Sequence, residues 1–271
     1  MILRRRLMLG LGAMAGAGTG AAWAPDQTAL RRFVKLRGAL DDRLVIGCVS
    51  GRYDGVVEGV VTPLFGVVSA VFARYRPRGG GFDVASFEQA YFTDLASGKA
   101  LEHWKNPYTG EVVAVPVYSR PPVRLFLGPD LVFRSPAPAP KGVHVHQSAR
   151  GPEMIGEDIV FVEQVDVSLD GSPGQLPFAY RDNTVLRAKL RDVDRPDTQA
   201  TPCETTFEAT VSWRPWLKMG ARPGHMEALG YGGFGGTMAS LPPAWVQATA
   251  RVNPGLLDHP EQAVAPAWHT G

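Results

Sequence analysis

The stretch DIVFVEQVDVSL, residues 158–169, decides how the rest of the chain is read. In an extended strand successive side chains point to opposite faces. Ile159, Phe161, Glu163, Val165 and Val167 then share one face, and Val160, Val162, Gln164 and Asp166 share the other. One acid therefore stands on a face of large apolar residues. An ionised carboxylate is costly there unless paired, so either its pKa rises or an Arg or His meets it. A raised carboxyl suits general acid or base work. A buried structural ion pair is the other reading.

Strand patterns recur on both sides of this stretch. They cover 44–50, 56–61 and 64–75, with Asp54-Gly55 read as a hairpin dipeptide and Pro63 as a break. Others follow at 87–94, 111–118, 123–127, 131–134, 142–147, 184–190 and 205–213. RPRGGG (76–81) and GYGGFGG (230–236) read as loops, and SPAPAPKG (135–142) as a stiff connector. The 31 glycines and 23 prolines are spread along the chain and mark many short connections. There is neither a long-period repeat nor a strand-helix-strand alternation. The expected fold is mainly β: an antiparallel β-barrel or barrel-like sandwich of lipocalin/calycin type, with about eight strands or more around a small apolar ligand.

A helix is expected over 27–40. Leu30, Phe33, Val34, Leu36 and Leu40 gather on one side, and Arg31, Arg32 and Lys35 on the other. That basic face meets solvent or lipid headgroups. Arg37 falls within the apolar arc, so it either snorkels past the helix end or meets a carboxylate. A short helix is expected over 243–253. Residues 27–253 form one β-rich domain, and 254–271 a tail that wraps the surface or frays.

Residues 4–24, RRRLMLGLGAMAGAGTGAAWA, combine a charged start, a small apolar run and an Ala22-Trp23-Ala24 end. Residues 1–24 thus resemble a twin-arginine export signal, which implies a periplasmic or secreted bacterial protein with no stable membrane span once the signal is removed. The chain carries 28 basic and 26 acidic residues; without Arg4, Arg5 and Arg6 the balance is 25 against 26. A near-neutral domain is poorly suited to nucleic acid, whose binding rests on phosphate neutralisation. No cofactor is expected: the only dinucleotide-like turn, Gly10-Leu11-Gly12, follows no strand and lies inside the signal. Cys48 and Cys203 either pair or are buried as small apolar side chains.

Chemistry-bearing residues cluster in two further places. HWKNPYTG (103–110) sets His103, Trp104, Asn106 and Tyr108 around a turn. Asn106, Pro107 and Gly110 follow from turn chemistry, whereas His103, Trp104 and Tyr108 fit either a ligand site or rim packing. In SWRPWLKMG (212–220), Trp213 and Trp216 straddle Arg214 and Pro215, forming a pocket wall or a plug at one barrel end. His144 and His146 share a strand face and could supply two corners of a metal site, without a third ligand nearby. No nucleophile motif occurs.

Several segments together, FVKLRGALDD, FEQAYFTDLASGKALEHWKNPYTGEVVAV, TTFEATVSWRPWLKMG and GHMEALGYGG, resemble the bacterial domain-of-unknown-function family numbered 1838. The resemblance spans roughly residues 30–250. It includes Tyr91, Asp94, Gly98, Trp104, Asn106, Pro107, Thr109, Gly110, Trp213, Pro215, Trp216 and Met219. It implies export and a single domain, and no activity.

Two functions follow from these residues. One is a cofactor-independent acid/base enzyme of isomerase, lyase or cyclase type, acting on a small, largely apolar or aromatic molecule. Glu163 would be its acid or base, with His103, Tyr108 or His144 as partner. Tyr91, Trp104, Asn106, Trp213, Arg214 and Trp216 would form the ligand wall. Glu163→Gln would then stop turnover and leave folding intact. The other is a non-catalytic lipocalin-like binding protein. A metal protein built on His144 and His146 is the weaker alternative.

Overall fold

The computed structural model describes residues 27–171 and 177–269. The expected export signal lies outside the described residues. Among these, twelve strands run β1 (Val45–Val57), β2 (Val60–Arg78), β3 (Gly81–Thr93), β4 (His103–Lys105), β5 (Val112–Ala114), β6 (Tyr118–Leu127), β7 (Val132–Arg134), β8 (Val143–Ile155), β9 (Asp158–Leu169), β10 (Phe178–Lys189), β11 (Cys203–Val211) and β12 (His225–Gly236). Helices α1 (Gln27–Arg37), α2 (Leu190–Val193), α3 (Pro243–Val252) and α4 (Gly255–Asp258) complete the main elements. Ten of the strands pair with their neighbours in chain order, and β12 returns to β1 to close a barrel. The ribbon β4–β5 stands apart, inserted between β3 and β6. Of the two expected architectures, the closed barrel is the one formed. Closure leaves no free sheet edge among the long strands.

The strands are longer than single-segment patterning suggests. Asp54-Gly55 lies inside β1, and the hairpin turns instead at Glu58-Gly59, with φ of 51° and 79°, the pair of positive φ values a type I′ turn needs. Pro63 stays within β2 beside a register shift at Tyr53/Asp54, the kind of irregularity that tolerates a missing donor. The expected loop at 76–81 shrinks to Gly79-Gly80. GYGGFGG is not a loop but most of β12. A Cβ on Gly232 would sit 1.8 Å from the Cys48 carbonyl oxygen, so bare glycine lets β12 approach β1 where the barrel closes.

Alternation separates two cores. On the inner face, α1 closes one end of the barrel: Leu30, Phe33, Val34 and Leu36 pack on Tyr75, Phe82, Leu125, Phe133, Phe161 and Leu186. Phe33 meets Phe133 and Phe161 edge-on at 6.1 and 5.6 Å. The basic side of α1 is divided: Arg31 is exposed to solvent, whereas Arg32 and Lys35 turn to neighbouring protein. Arg32 forks onto Asp194 with two bonds of 2.7 Å, and Lys35 donates to the Val193 and Arg195 carbonyls. On the outer face, Ile46, Val68, Ala70, Phe72, Phe87 and Tyr91 are covered by Trp245 of α3 and by residues 256–267. As far as residue 269 the tail therefore wraps the surface rather than frays; Arg76 stacks on Trp268 at 4.3 Å. Among the described residues no helix is long and apolar enough to cross a membrane.

Cys48 faces outward near Ser240 and Cys203 inward near Leu36. They lie on opposite sides of the wall, and both are free.

Candidate functional site inside the barrel

Glu163 points into the barrel, as parity requires, and is 3% exposed. Its Oε2 accepts Arg37 Nε at 2.7 Å and its Oε1 accepts Gln147 Nε2 at 2.6 Å. The Arg37 guanidinium also lies over the Phe234 ring at 4.0 Å. The two oddities of the sequence, an arginine on the apolar arc of α1 and an acid on the apolar face of β9, thus resolve each other. One carboxylate oxygen holds the end of the α1 plug, and the other is tied to Gln147 of β8.

Beyond this pair the packing changes along the strand. Ile159 and Phe161 are fully buried, whereas Val165 and Val167, on the same inward face, are only partly buried. The same holds for inward Val67, Ser69 and Glu88 and for Tyr118, Arg120, Tyr180 and Thr184. A filled interior would bury such valines as completely as the α1 end does. This layer is also where the inward polar groups collect. Asp182, Tyr180, Tyr118, Tyr53, Glu88 and Arg120 come from the wall, and Arg214 reaches in from the loop after β11.

The electrostatics of the layer centre on Asp182. Burial lifts its carboxyl to about 7; the Tyr180 hydroxyl lowers it, Glu163 and Glu88 raise it, and Arg120 lowers it. Burial likewise lifts Tyr118 to about 12, helped by Glu88 and opposed by Arg120 and Arg214. Burial, with Asp182 next, places Tyr180 well above the usual phenol range. A carboxyl near neutrality beside a phenol can give or take a proton at ordinary pH. Arg214 lies 5.6 Å from the Tyr118 ring and 5.9 Å from the Tyr53 ring.

The opposite end of the barrel is closed by aromatic rings. Trp216 packs on Phe65 and Phe92 at 5.5 and 5.3 Å, and Trp104 on Phe65 at 5.3 Å. Asn106 fastens this end. It is 0% exposed, its Nδ2 donates to the Leu217 carbonyl, and its Oδ1 accepts the Tyr108 amide, both at 2.8 Å. The turn in HWKNPYTG is thus a clamp between the β4–β5 ribbon and the 3₁₀ turn Pro215–Leu217. Asn106→Ala leaves the buried Leu217 carbonyl without that donor and is expected to cost about 1–3 kcal/mol, measurable as a lower urea midpoint at unchanged slope. An unaltered midpoint would remove the clamp.

The remaining sequence candidates lie elsewhere. His103 is exposed on β4. Tyr108 packs edge-on against Trp213 at 5.6 Å, at the rim. His144 alternates outward on β8, is 62% exposed at its side chain and pairs with Asp170. The structure therefore brings none of the three to Glu163. His146 is also outward and contacts Ser148, and among the described residues no group of three or more His, Cys, Asp or Glu is placed to hold a metal. Tyr91 faces out under Trp245, hydrogen-bonded to Gln89 and Thr249. Of the expected wall, Trp104, Trp216 and Arg214 border the interior, Asn106 fastens them, and Trp213 sits outside them. No protein-family model, curated protein or solved structure matches the chain.

The residues that sequence reasoning missed carry signals. Asp182-Asn183 have turn chemistry, which places the expected strand start at 184 and hides inward Tyr180 and Asp182. Pro121-Pro122 separate two expected strands. In the fold they form a bulge within β6, where Ser86 pairs with Val123 but Glu88 with Arg120. The extra residue reverses parity and turns Arg120 and Tyr118 inward.

Proposed function

We propose that the barrel interior receives a small molecule, largely apolar or aromatic, and acts on it by proton transfer without a cofactor, as an exported isomerase, lyase or cyclase type of enzyme. The observation that carries this reading is the incompletely packed polar layer between two closed apolar ends. Its aromatic neighbours supply contact area, and its titratable groups supply the chemistry. Glu163 is committed to Arg37 and Gln147, so the acid or base in this reading is Asp182, with Tyr180 as its hydrogen-bond partner. The experiment is to purify the protein from its native export route, denature it, and identify any released small molecule by mass spectrometry. Val165→Phe, which adds volume to the layer, is expected to come out empty while remaining folded. Equal content in Val165→Phe and the parent would place the molecule outside the barrel and end the proposal.

A second reading, a non-catalytic binding barrel, is favoured by one observation: the most deeply buried inward carboxylate, Glu163, serves an ion pair. The two readings separate at Asp182→Asn. The enzyme loses turnover and keeps its ligand, whereas a binding protein changes affinity by only a few-fold.

A further inference from the structure

We infer that the molecule taken up in the barrel carries an anionic oxygen group, a carboxylate or its equivalent, seated between Arg120 and Arg214. The inference rests on the reading above that the interior is the binding site. Arg120 and Arg214 enter the layer from different elements, Arg120 from the β6 bulge and Arg214 from the loop after β11. Arg214 lies 5.6 Å from the Tyr118 ring, and Arg120 stands two residues from Tyr118 on the same inward face of β6, so both side chains enter one region. Neither makes an ion pair among the described residues, in contrast to Arg37, whose pair with Glu163 spans 2.7 Å. Each also has a buried Nε without a hydrogen-bond acceptor.

Buried donors normally find a partner, and a buried cation normally finds a counter-charge. The carboxyl groups in reach do not fill this role. Glu88 stands opposite Arg120 in register but accepts the Ser69 hydroxyl at 2.8 Å. Burial lifts the Asp182 carboxyl to about 7, so near neutral pH it carries only part of a negative charge. With the Arg37–Glu163 pair cancelling, the layer is left with an excess of positive charge. The planar guanidinium fork matches a carboxylate, and the partly buried Trp216 ring, two residues from Arg214, suits a flat apolar body. The substrate class is therefore a small aromatic or ring-containing acid. The arginines of the surface clefts differ: Arg78 and Arg124 already share Asp83, and Arg134 pairs with Asp130.

The test is calorimetric titration of the full chain with 2-naphthoate and with 2-naphthalenemethanol, which share a ring system and differ in charge. Naphthoate is expected to bind about tenfold tighter or more, the scale of one charge-assisted hydrogen bond. Arg120→Met and Arg214→Met should each bring naphthoate to the affinity of the alcohol and leave the alcohol unchanged. Arg124→Gln, in a surface cleft, should retain the full preference. If a methionine variant fails to fold, the corresponding lysine variant replaces it. Lysine keeps the charge and loses the Nε donor, so the preference must still fall several-fold. Equal affinity of both probes for the parent would overturn the anion claim and leave the interior binding site standing. Binding of neither probe would overturn both. A preference that survives Arg120→Met and disappears in Arg124→Gln would move the site to the surface and overturn the assignment.

Discussion

Glu163→Gln is expected to destabilise the fold by about 3–5 kcal/mol, the usual cost of removing one partner of a buried ion pair. The neutral amide can still accept a hydrogen bond, but it leaves the Arg37 guanidinium inside the barrel with no counter-charge. Arg37 is the last residue of α1, so the strain falls on the element that closes one end. For a domain of this size, 1 kcal/mol shifts the melting temperature by roughly 2–4 °C, and the variant should melt roughly 6–20 °C below the parent. Replacing both residues, Arg37→Met with Glu163→Met, should recover most of the loss, because a buried pair exchanged for apolar side chains is often neutral. A Glu163→Gln variant that melts with the parent would show that the pair is not needed to seat the plug. The sequence alone had led to the opposite expectation, a variant dead in turnover and intact in fold. The ion pair reverses it.

Asp182→Asn is expected to stabilise the protein at alkaline pH. The Asp182 carboxyl titrates near 7 in the fold and near 3.8 when unfolded. Below 3.8 both states hold the proton and the residue makes no difference. Between the two values only the folded state holds it, so stability declines as pH rises. Above 7 the decline is complete, on the order of 4 kcal/mol for a shift of about three units. Asparagine copies the neutral form at every pH. The variant and parent should therefore agree near pH 4 and diverge through pH 7, with the variant more stable at pH 8. Other carboxyls, such as Asp130 and Asp194, are held low by arginines and push the parent's profile the other way. The comparison of variant with parent isolates Asp182. Parallel pH profiles would mean that Asp182 ionises normally and would remove it as the acid or base.

The class of fold was legible because it depends on short-range rules. Alternation over 158–169 named the inward face of β9, including Glu163, without error. Periodicity over 27–40 named the apolar face of α1, although the helix ends at Arg37 and Lys35, expected on the opposite side, is buried. Turn composition separated the strands and excluded helical bundles. The clamp at Asn106 was half legible: its side-chain bond to the Tyr108 amide is local turn chemistry, whereas its bond to the Leu217 carbonyl spans distant segments. Boundaries failed where two local signals compete. Asp182-Asn183 suggest a turn and Pro121-Pro122 a break, yet cross-strand pairing in the closed barrel overrides both.

From residues alone, the chain determined a mainly β fold, one acid facing a greasy interior and one arginine on the wrong side of a helix. Only the tertiary structure decided that these two meet. It also turned Arg120 and Tyr118 inward through a bulge, sent His103, Tyr108 and His144 to the outside or the rim, and gathered Asp182, Arg120 and Arg214 in one layer. The reason is one of range. A side chain's facing direction is fixed by its nearest neighbours along the chain, but its partner across a barrel depends on strand order, register and every bulge between.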